Sequence, residues 1–552
     1  MSMPKEDYSP AAQKILGYMM SHPFDRVSLL TRIPSEVKAT LQAMYSRNDL
    51  PMRDTLLKTV VTIDLGLNKK DSKRKFDEVT PEEKEAVYEK YAANLPDYPP
   101  LYNLFDNRAR EFLGEFAVKH GHNSIKEGAF ISYVVEGVSI ITAKALENDP
   151  LFHGQELSTR YKSFAKQKVP LPSALAKSII ADELQKYFEL SLPNYLHETQ
   201  AMNDYQQKTF PKPADISPQG WKQVLNAATF DNARYLLNAG ITTQLGIVED
   251  ARTLERKLRN MLVFPFGETR EVAKEIIEKA KIELPTLITH VEPNNYLKET
   301  EFVITLLQDS ILGKGTRSAP ASRVQFLHAT HDLENKLVAN ILYAEGRHDH
   351  SWQNVYDKVK TLTAERKKQV LQQVFERLGR HDEPVHTLRG ARIAFEIFPD
   401  FGAWRDIQRH RRCNQTFPLP TCNYGYDTPW LVKEAGLEKH YNEHMERTAE
   451  MFEKARKISP EEAVIVPALG FRVKQTVDAD IEELVYMWWL RTTEHGHFSY
   501  RQIFIEAFEQ AKQHIPLLAE IIEDKKLITK GDFRHGRLVE EKRYEEKKRQ
   551  AE

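Results

Sequence analysis

Ala403-Trp404-Arg405-Asp406-Ile407-Gln408-Arg409-His410-Arg411-Arg412 is the stretch on which the reading turns. At 3.6 residues per turn Trp404 and Ile407 mark an apolar edge, while Arg405, Arg409 and Arg412 share another. His410 and Arg411 point away from that row, so the helix end spreads guanidinium and imidazole groups over a wide arc. Cations are favoured there because the last carbonyls of a helix are unpaired. The following Asn414-Gln415-Thr416-Phe417-Pro418 reads as a loop. The plain reading is a solvated basic helix end. The chemical reading is a cradle for a polyanion or an electron-rich ring.

Around this stretch lie 552 residues, too many for one ordinary core, so two or more domains are expected. Lysine plus arginine (78) nearly cancels aspartate plus glutamate (79), for a net charge of −1. A general nucleic-acid binder would be basic overall, so any anion site here must be local. No run approaches the length of a membrane span, and the first 32 residues lack the layout of a secretory signal. Cys413 and Cys422 are the only cysteines, too few for a zinc or disulfide framework. A reducing, cytoplasmic setting is expected.

The first 75 residues read as short helices broken by Pro23, Pro34 and Pro51, with a strand-like Thr59-Val60-Val61-Thr62-Ile63. Thr80-Pro81-Glu82-Glu83 is a capping box that opens a helix. A helix over 101–119 should stop at Gly121-His122-Asn123-Ser124, before the strand-like Phe130-Ile131-Ser132-Tyr133-Val134-Val135. Helical patterns follow over 173–190, 220–227, 250–262 and 268–284. Pro293 and Asn294-Asn295 mark the best boundary. Beyond it Phe302, Ile304 and Leu306 alternate as a strand would, as do Val324 and Phe326, and 393–398 is strand-like. Helices are expected over 333–344, 364–378, 481–490 and 504–522. Ser459-Pro460-Glu461-Glu462 is a second capping box, and from Asp524 a charged tail should be solvated and partly frayed.

The chain repeats itself. Ala233, Gly240 and Asp250 recur as Ala463, Gly470 and Asp480 at a constant offset, each set spanning an apolar segment that leads into a long helix. This reads as a duplication.

Both halves resemble the flavin-dependent thymidylate synthases, a family marked by a glycine-histidine turn, a strand, and a helix ending in R-H-R-x-x-S-x-N-E-x-S-x-R-Y. The first half carries GHNSIKEGAFISYVVEGVS and then GQELSTRY; the second carries FGAWRDIQRHRR, SPEEAVIVPALG and LRTTEHGH. Where the first half should have RHR it has Asn148-Asp149-Pro150, yet Glu156, Ser158, Thr159, Arg160 and Tyr161 stay in register. The second half keeps Arg409, His410 and Arg411 but has Phe417-Pro418-Leu419-Pro420-Thr421 for the serine segment. The family's substrate arginine stands as Arg234, against Val464; its late-helix arginine stands as Arg491, against Met261. The losses are complementary.

The resemblance implies an α/β (mixed α+β) fold of two tandem synthase-like domains, each a small sheet flanked by long helices. The expected limits are 1–75 for an N-terminal extension, 76–290 and 291–523 for the repeats, and 524–552 for the tail. It implies reductive methylation of deoxyuridine monophosphate with FAD, NADPH and methylenetetrahydrofolate, at one composite site built by both repeats. Glu156, Ser158, Thr159, Arg160, Arg234 and Arg491 would bind the nucleotide; His386, Arg409, His410, Arg411, Asp480 and His495 would hold the flavin; Arg491 and Arg409 would act on the reacting rings. A homodimer would then correspond to the family's tetramer. Asp480 stands where the family has asparagine, and an acid there opposes an anionic reduced flavin.

Other signals weigh less. His440-Tyr441-Asn442-Glu443-His444 has the spacing of a zinc-protease helix but continues as a solvated charged face, so no metal is expected. Cys413 reads as an idle thiol. The alternatives to an enzyme are a repurposed flavin- or nucleotide-binding protein on the same scaffold, and an RNA-binding module using the basic helix end.

Overall fold

The computed structural model describes residues 5–32, 49–67, 74–93, 95, 123–284, 286–288, 291–313, 322–346, 348–379, 382–531 and 534–551. The expected helix over 101–119, its Gly121-His122 stop and Pro34 lie outside these residues. The fold is mixed α+β, with one antiparallel sheet in each of two compact units. Unit 1 comprises Met1–Phe188, Ala239–Gly315 and Lys454–Ile465; unit 2 comprises Glu189–Asn238, Thr316–Glu453 and Val466–Glu552.

The sheet of unit 1 is built from β1 (Met20–Ser21), β2 (Val27–Leu30), β3 (Phe130–Ser139), β4 (His153–Glu156) and β5 (Thr242–Asp250), in the order β1-β2-β3-β5-β4. β3 and β5 pair from Phe130↔Asp250 to Ser139↔Thr242, with a bulge at Gly137. The helices Ala251–Met261 and Gly267–Glu283 cover it, burying Leu254, Leu258, Val272 and Ile276 against Tyr133, Leu245 and Ile247. The N-terminal extension supplies β1 and β2, so it is part of this sheet.

The sheet of unit 2 comprises β6 (Val324–Ala329), β7 (Arg392–Ile397), β8 (Asn414–Gln415) and β9 (Gln475–Asp480), in the order β6-β7-β9-β8. Its core gathers Ile393, Phe395, Val477, Leu484, Trp488 and Phe508. The two sheets repeat one plan. β3 and β7 each run into a helix capped by a polar residue: Ser139 Oγ accepts from Thr142 N, and Asp400 Oδ1 from Ala403 N. β5 and β9 each end on the recurring aspartate, and Asp250 and Asp480 cap the next helix by accepting its first backbone N–H groups. Four unpaired N–H groups begin every helix, so a carboxylate is well used there.

Six expectations needed correction. Thr59-Val60-Val61-Thr62-Ile63 belongs to the helix Met52–Asp64. Met52, Leu56 and Val60 form its buried stripe, and the hydroxyls of Thr55 and Thr59 donate back to the carbonyls of Pro51 and Thr55; packing overrides β-branched preference. Phe302, Ile304 and Leu306 lie in the helix Asn295–Leu312, which Asn294 caps and Gly313 (φ +65) ends. The Ser459 box forms only by half: Glu462 N donates to Ser459 Oγ at 3.2 Å, but Ser459 N is bonded to Ala455 O. The Glu462 carboxylate therefore accepts from Leu175 N, and only the short turn Ala463–Ile465 follows. The patterns over 173–190 and 504–522 are each broken, the second at Pro516, which lacks an N–H to continue a helix. The charged tail forms the helix Arg537–Ala551, where Lys542 pairs with Asp215 and Arg549 donates to the Asp215 carbonyl.

Candidate functional site

The helix that ends in the opening stretch is short. It runs from Phe401 to Ile407, entirely buried, and the chain turns before Arg409. The three arginines therefore do not form one helical row. Arg405 is buried, Arg409 is about half exposed, and Arg412 swings onto the helix Ile481–Thr492. There its guanidinium lies 2.9 Å from Glu482, 3.5 Å from Asp480 and 3.8 Å from Glu483. Arg389 donates to Glu482 at 2.6 Å, and His386 stands 3.3 Å from the same carboxylate. Burial alone would raise the Glu482 carboxyl, but bonds from Arg389 and Arg412 hold it at about 2.

Beside this cluster His410 is buried between an acid and a base. Its Nδ1 lies 2.8 Å from Glu483 Oε1, and its Nε2 accepts from Arg491 Nε at 2.7 Å. Burial, and then the Arg491 charge, push its pKa down to about 4. The ring is therefore neutral at pH 7, with Nδ1–H donating to Glu483 and Nε2 left as acceptor. Arg491 is fixed through Nε and lies over the Tyr500 ring at 5.3 Å. Among the described residues its two terminal nitrogens donate no hydrogen bond.

Arg234 reaches the same short helix from the other repeat. It is 2% exposed, with Nη1 3.5 Å from Asp406, one turn before His410. Its Nε and Nη2 are buried with no hydrogen-bond partner among the described residues. Gly402 makes the approach feasible, because a Cβ there would sit 3.3 Å from Arg234 Nε. Leaving buried guanidinium donors unmade is costly unless a ligand takes them.

Unit 2 thus brings together Arg234, His386, His410, Asp480 and Arg491 around one helix end and one helix start. His495 is held by other groups, 3.4 Å from the Thr493 hydroxyl and 3.8 Å from Glu540. Cys413 donates to the His410 carbonyl, and burial raises its thiol to about 12, so it is inert as a nucleophile. His440 pairs with Glu198 at 2.6 Å, and burial lowers His444 to about 4.

In unit 1 Glu156 is buried 2.9 Å from Lys144, which also holds Glu147. Ser158 Oγ accepts from Arg160 N at 3.3 Å, Thr159 is buried, and the Arg160 guanidinium lies 5.9 Å from the Tyr161 ring.

Sequence reasoning missed Glu482, Glu483, Arg389 and Asp406. Glu482-Glu483 follow a helix cap, where acids are ordinary companions of the helix dipole, so nothing local marked them as partners of histidine and arginine.

The class defined by these observations is a duplicated α+β scaffold that gathers arginines around a buried helix end. More narrowly, the chain belongs to the thymidylate synthase complementing protein family, whose profile matches residues 73–286 and 329–517. That family is flavin-dependent, and the two matches agree with tandem copies. A UPF0159 protein of Chlamydia pneumoniae is 24% identical over 558 residues, covering 98% of this chain and 99% of its own. One of Chlamydia muridarum is 24% identical over 553 residues, covering 97% and 98%. One of Thermoplasma acidophilum is 22% identical over 469 residues, covering 79% and 92%. Among the described residues no helix is long and apolar enough to cross a membrane.

Proposed function

We propose that this protein is a flavin-dependent enzyme of the thymidylate synthase type, methylating a uracil nucleotide such as deoxyuridine monophosphate. The observation that carries this reading is Arg234: a buried guanidinium with two unpartnered N–H groups, supplied by one repeat to the helix end that carries RHR in the other. Arg234 is assigned to an anionic group of the nucleotide, where several donors on one guanidinium suit phosphate oxygens. Arg491, held by a neutral imidazole and presenting its terminal nitrogens, fits a ring carbonyl on which negative charge develops.

The same donor chemistry fits the pyrimidine edge of a flavin, with Arg409, Arg411, His386 and Asp480 as neighbours on the family pattern. Bound FAD would supply the hydride that completes the methyl group, with NADPH as its reductant and methylenetetrahydrofolate as the one-carbon donor. What this chain contributes is binding, orientation and charge. Glu483 sets the His410 tautomer, His410 sets Arg491, and the half-exposed Arg409 is assigned to the flavin. Glu156, Ser158, Thr159 and Arg160 are assigned to the nucleotide phosphate on the family pattern alone.

A second reading, nucleotide binding without methylation, is favoured by one feature. Asp480, Glu482 and Glu483 neutralise Arg389 and Arg412, leaving less positive charge for an anionic reduced flavin. Tritium release from labelled deoxyuridine monophosphate, assayed with FAD, NADPH and methylenetetrahydrofolate, separates the two. Release abolished by Arg234→Ala is expected for the enzyme. Saturable nucleotide binding without release would replace the first reading with the second.

A further inference from the structure

Unit 1 contains a cavity of about 730 Å³ that the reading above does not use. Its volume lies within the range typical of small-molecule sites. The N-terminal extension forms one wall with Asp25, Arg26 and Arg53. The bulged end of β3 forms another, at Glu136, Gly137 and Ser139. Lys166 and Lys168 stand on a third side, and the start of the helix Gly267–Glu283 on a fourth. Phe266, Leu171, Pro172 and Ile465 add an apolar surface.

Three observations mark this as a built site. Gly137 takes φ +69 at the bulge, and a Cβ there would meet nothing within 4 Å, so the strand bends around open space. Arg53 is 3% exposed; two of its nitrogens donate to the Pro23 carbonyl and Glu136, but Nε is buried with no partner among the described residues. The Nζ groups of Lys166 and Lys168 make no ion pair or hydrogen bond among the described residues.

The duplication supplies a comparison. In unit 2 the cap Asp400 accepts from Ser499 and Tyr235, with Arg323 at 3.5 Å, and Arg323 and Arg472 pair with Asp427. In unit 1 the roles are exchanged. The cap is Ser139, and the carboxylate is Glu268, which accepts from Ser139 N and Oγ and from Thr142 Oγ1 at 2.7 Å. Among the described residues all its donors are neutral. Glu462, which also lines the cavity, accepts only from Leu175 N among the described residues.

A ligand suited to this cavity offers N–H donors to Glu268 and Glu462, a flat apolar body to the Phe266 side, and negative charge to Lys166, Lys168 and Arg53. A free amino acid would match the charges but leave most of the volume empty. The geometry points to a second binding site in unit 1, for a nucleoside phosphate whose base carries an exocyclic amino group. It is independent of the uracil-nucleotide reading of unit 2.

Calorimetric titration of the full-length protein with ATP, GTP, CTP, UTP and inorganic tripolyphosphate tests this. At least one amino-bearing nucleotide should bind more tightly than UTP or tripolyphosphate. The double variant Lys166→Ala/Lys168→Ala, altered only at exposed side chains, should weaken it by about tenfold or more. Glu462→Gln, which can still accept from Leu175 N, should narrow the preference over UTP. Arg234→Ala should leave this binding intact. Tripolyphosphate binding as tightly as every nucleotide would overturn the proposal, as would an absence of nucleotide binding. Loss of binding in Arg234→Ala but not in the lysine variant would place the nucleotide in unit 2 and overturn it equally.

Discussion

Arg491 and His410 behave as a pair because burial has stripped the imidazole of its proton. At its ordinary pKa His410 would be partly cationic near neutral pH and would repel the guanidinium it now binds. Glu483→Gln should therefore loosen Arg491 and weaken deoxyuridine monophosphate binding several-fold, while far-ultraviolet circular dichroism stays unchanged. Arg234→Ala should cost roughly tenfold or more in nucleotide affinity, since a charged hydrogen bond is worth about 1.5–3 kcal/mol. Arg160→Ala should likewise weaken nucleotide binding, whereas Arg409→Ala should lower the flavin content of the purified protein. The reverse pattern, by titration and by absorbance, would invert the division of roles. Acid should destabilise the fold through two groups. Folded His410 sits at about 4 against an ordinary 6.5, so the unfolded chain takes the proton first and stability drops as pH falls from 6.5 towards 4. Glu482 sits at about 2 against 4.5, so its contribution is present above pH 4.5 and is lost towards pH 2. Urea midpoints measured against pH should show both declines, and Glu482→Gln should flatten the lower one.

At the scale of elements, the recurring aspartate has one job twice. Asp250 accepts from the N–H groups of Arg252 and Thr253, and Asp480 from that of Glu483. Asp250→Ala should destabilise unit 1 by about 1 kcal/mol in urea titration, with Asp250→Ser restoring most of it. Asp480→Asn keeps a capping oxygen while removing a charge beside Arg412, so flavin retention can be read apart from stability. Much at this level was legible in the chain. The Thr80 box forms as expected, with Thr80 N donating to Glu83 and Glu83 N to Thr80. Strands Phe130–Ser139 and Arg392–Ile397 and the helices Ala251–Met261, Gly267–Glu283 and Ile481–Thr492 also stand close to where periodicity put them. The failures have different causes: Thr59-Val60-Val61 follows the buried stripe of its helix, whereas Phe302-Val303-Ile304 is exposed and lies in a helix that Asn294 caps and Gly313 ends.

Across the whole molecule, the compact units do not follow chain order. The segment Ala463–Ile465 is part of unit 1, where Gly240 N donates to Ile465 O; its counterpart Arg234–Leu236 is part of unit 2, where Gly470 N donates to Tyr235 O. Each unit therefore contains a segment from the other repeat. A fragment covering 291–552 lacks the Arg234 segment and should not unfold cooperatively by itself. Adding the 1–290 fragment should restore a cooperative transition, followed by circular dichroism. By itself the sequence determined the duplication, the mixed α+β class, the family, and the pairing of losses between Arg234 and Val464 and between Arg491 and Met261, because these are matters of spacing and residue type. Only the tertiary structure decided which groups meet. That Arg234 stands against Asp406 and that Glu483 and Arg491 hold one imidazole between them depends on segments distant in the chain packing into a low-dielectric interior, where an unmatched charge is costly. Arg389 and Arg412 answer the buried Glu482 from its exposed side, again by proximity rather than by order in the chain.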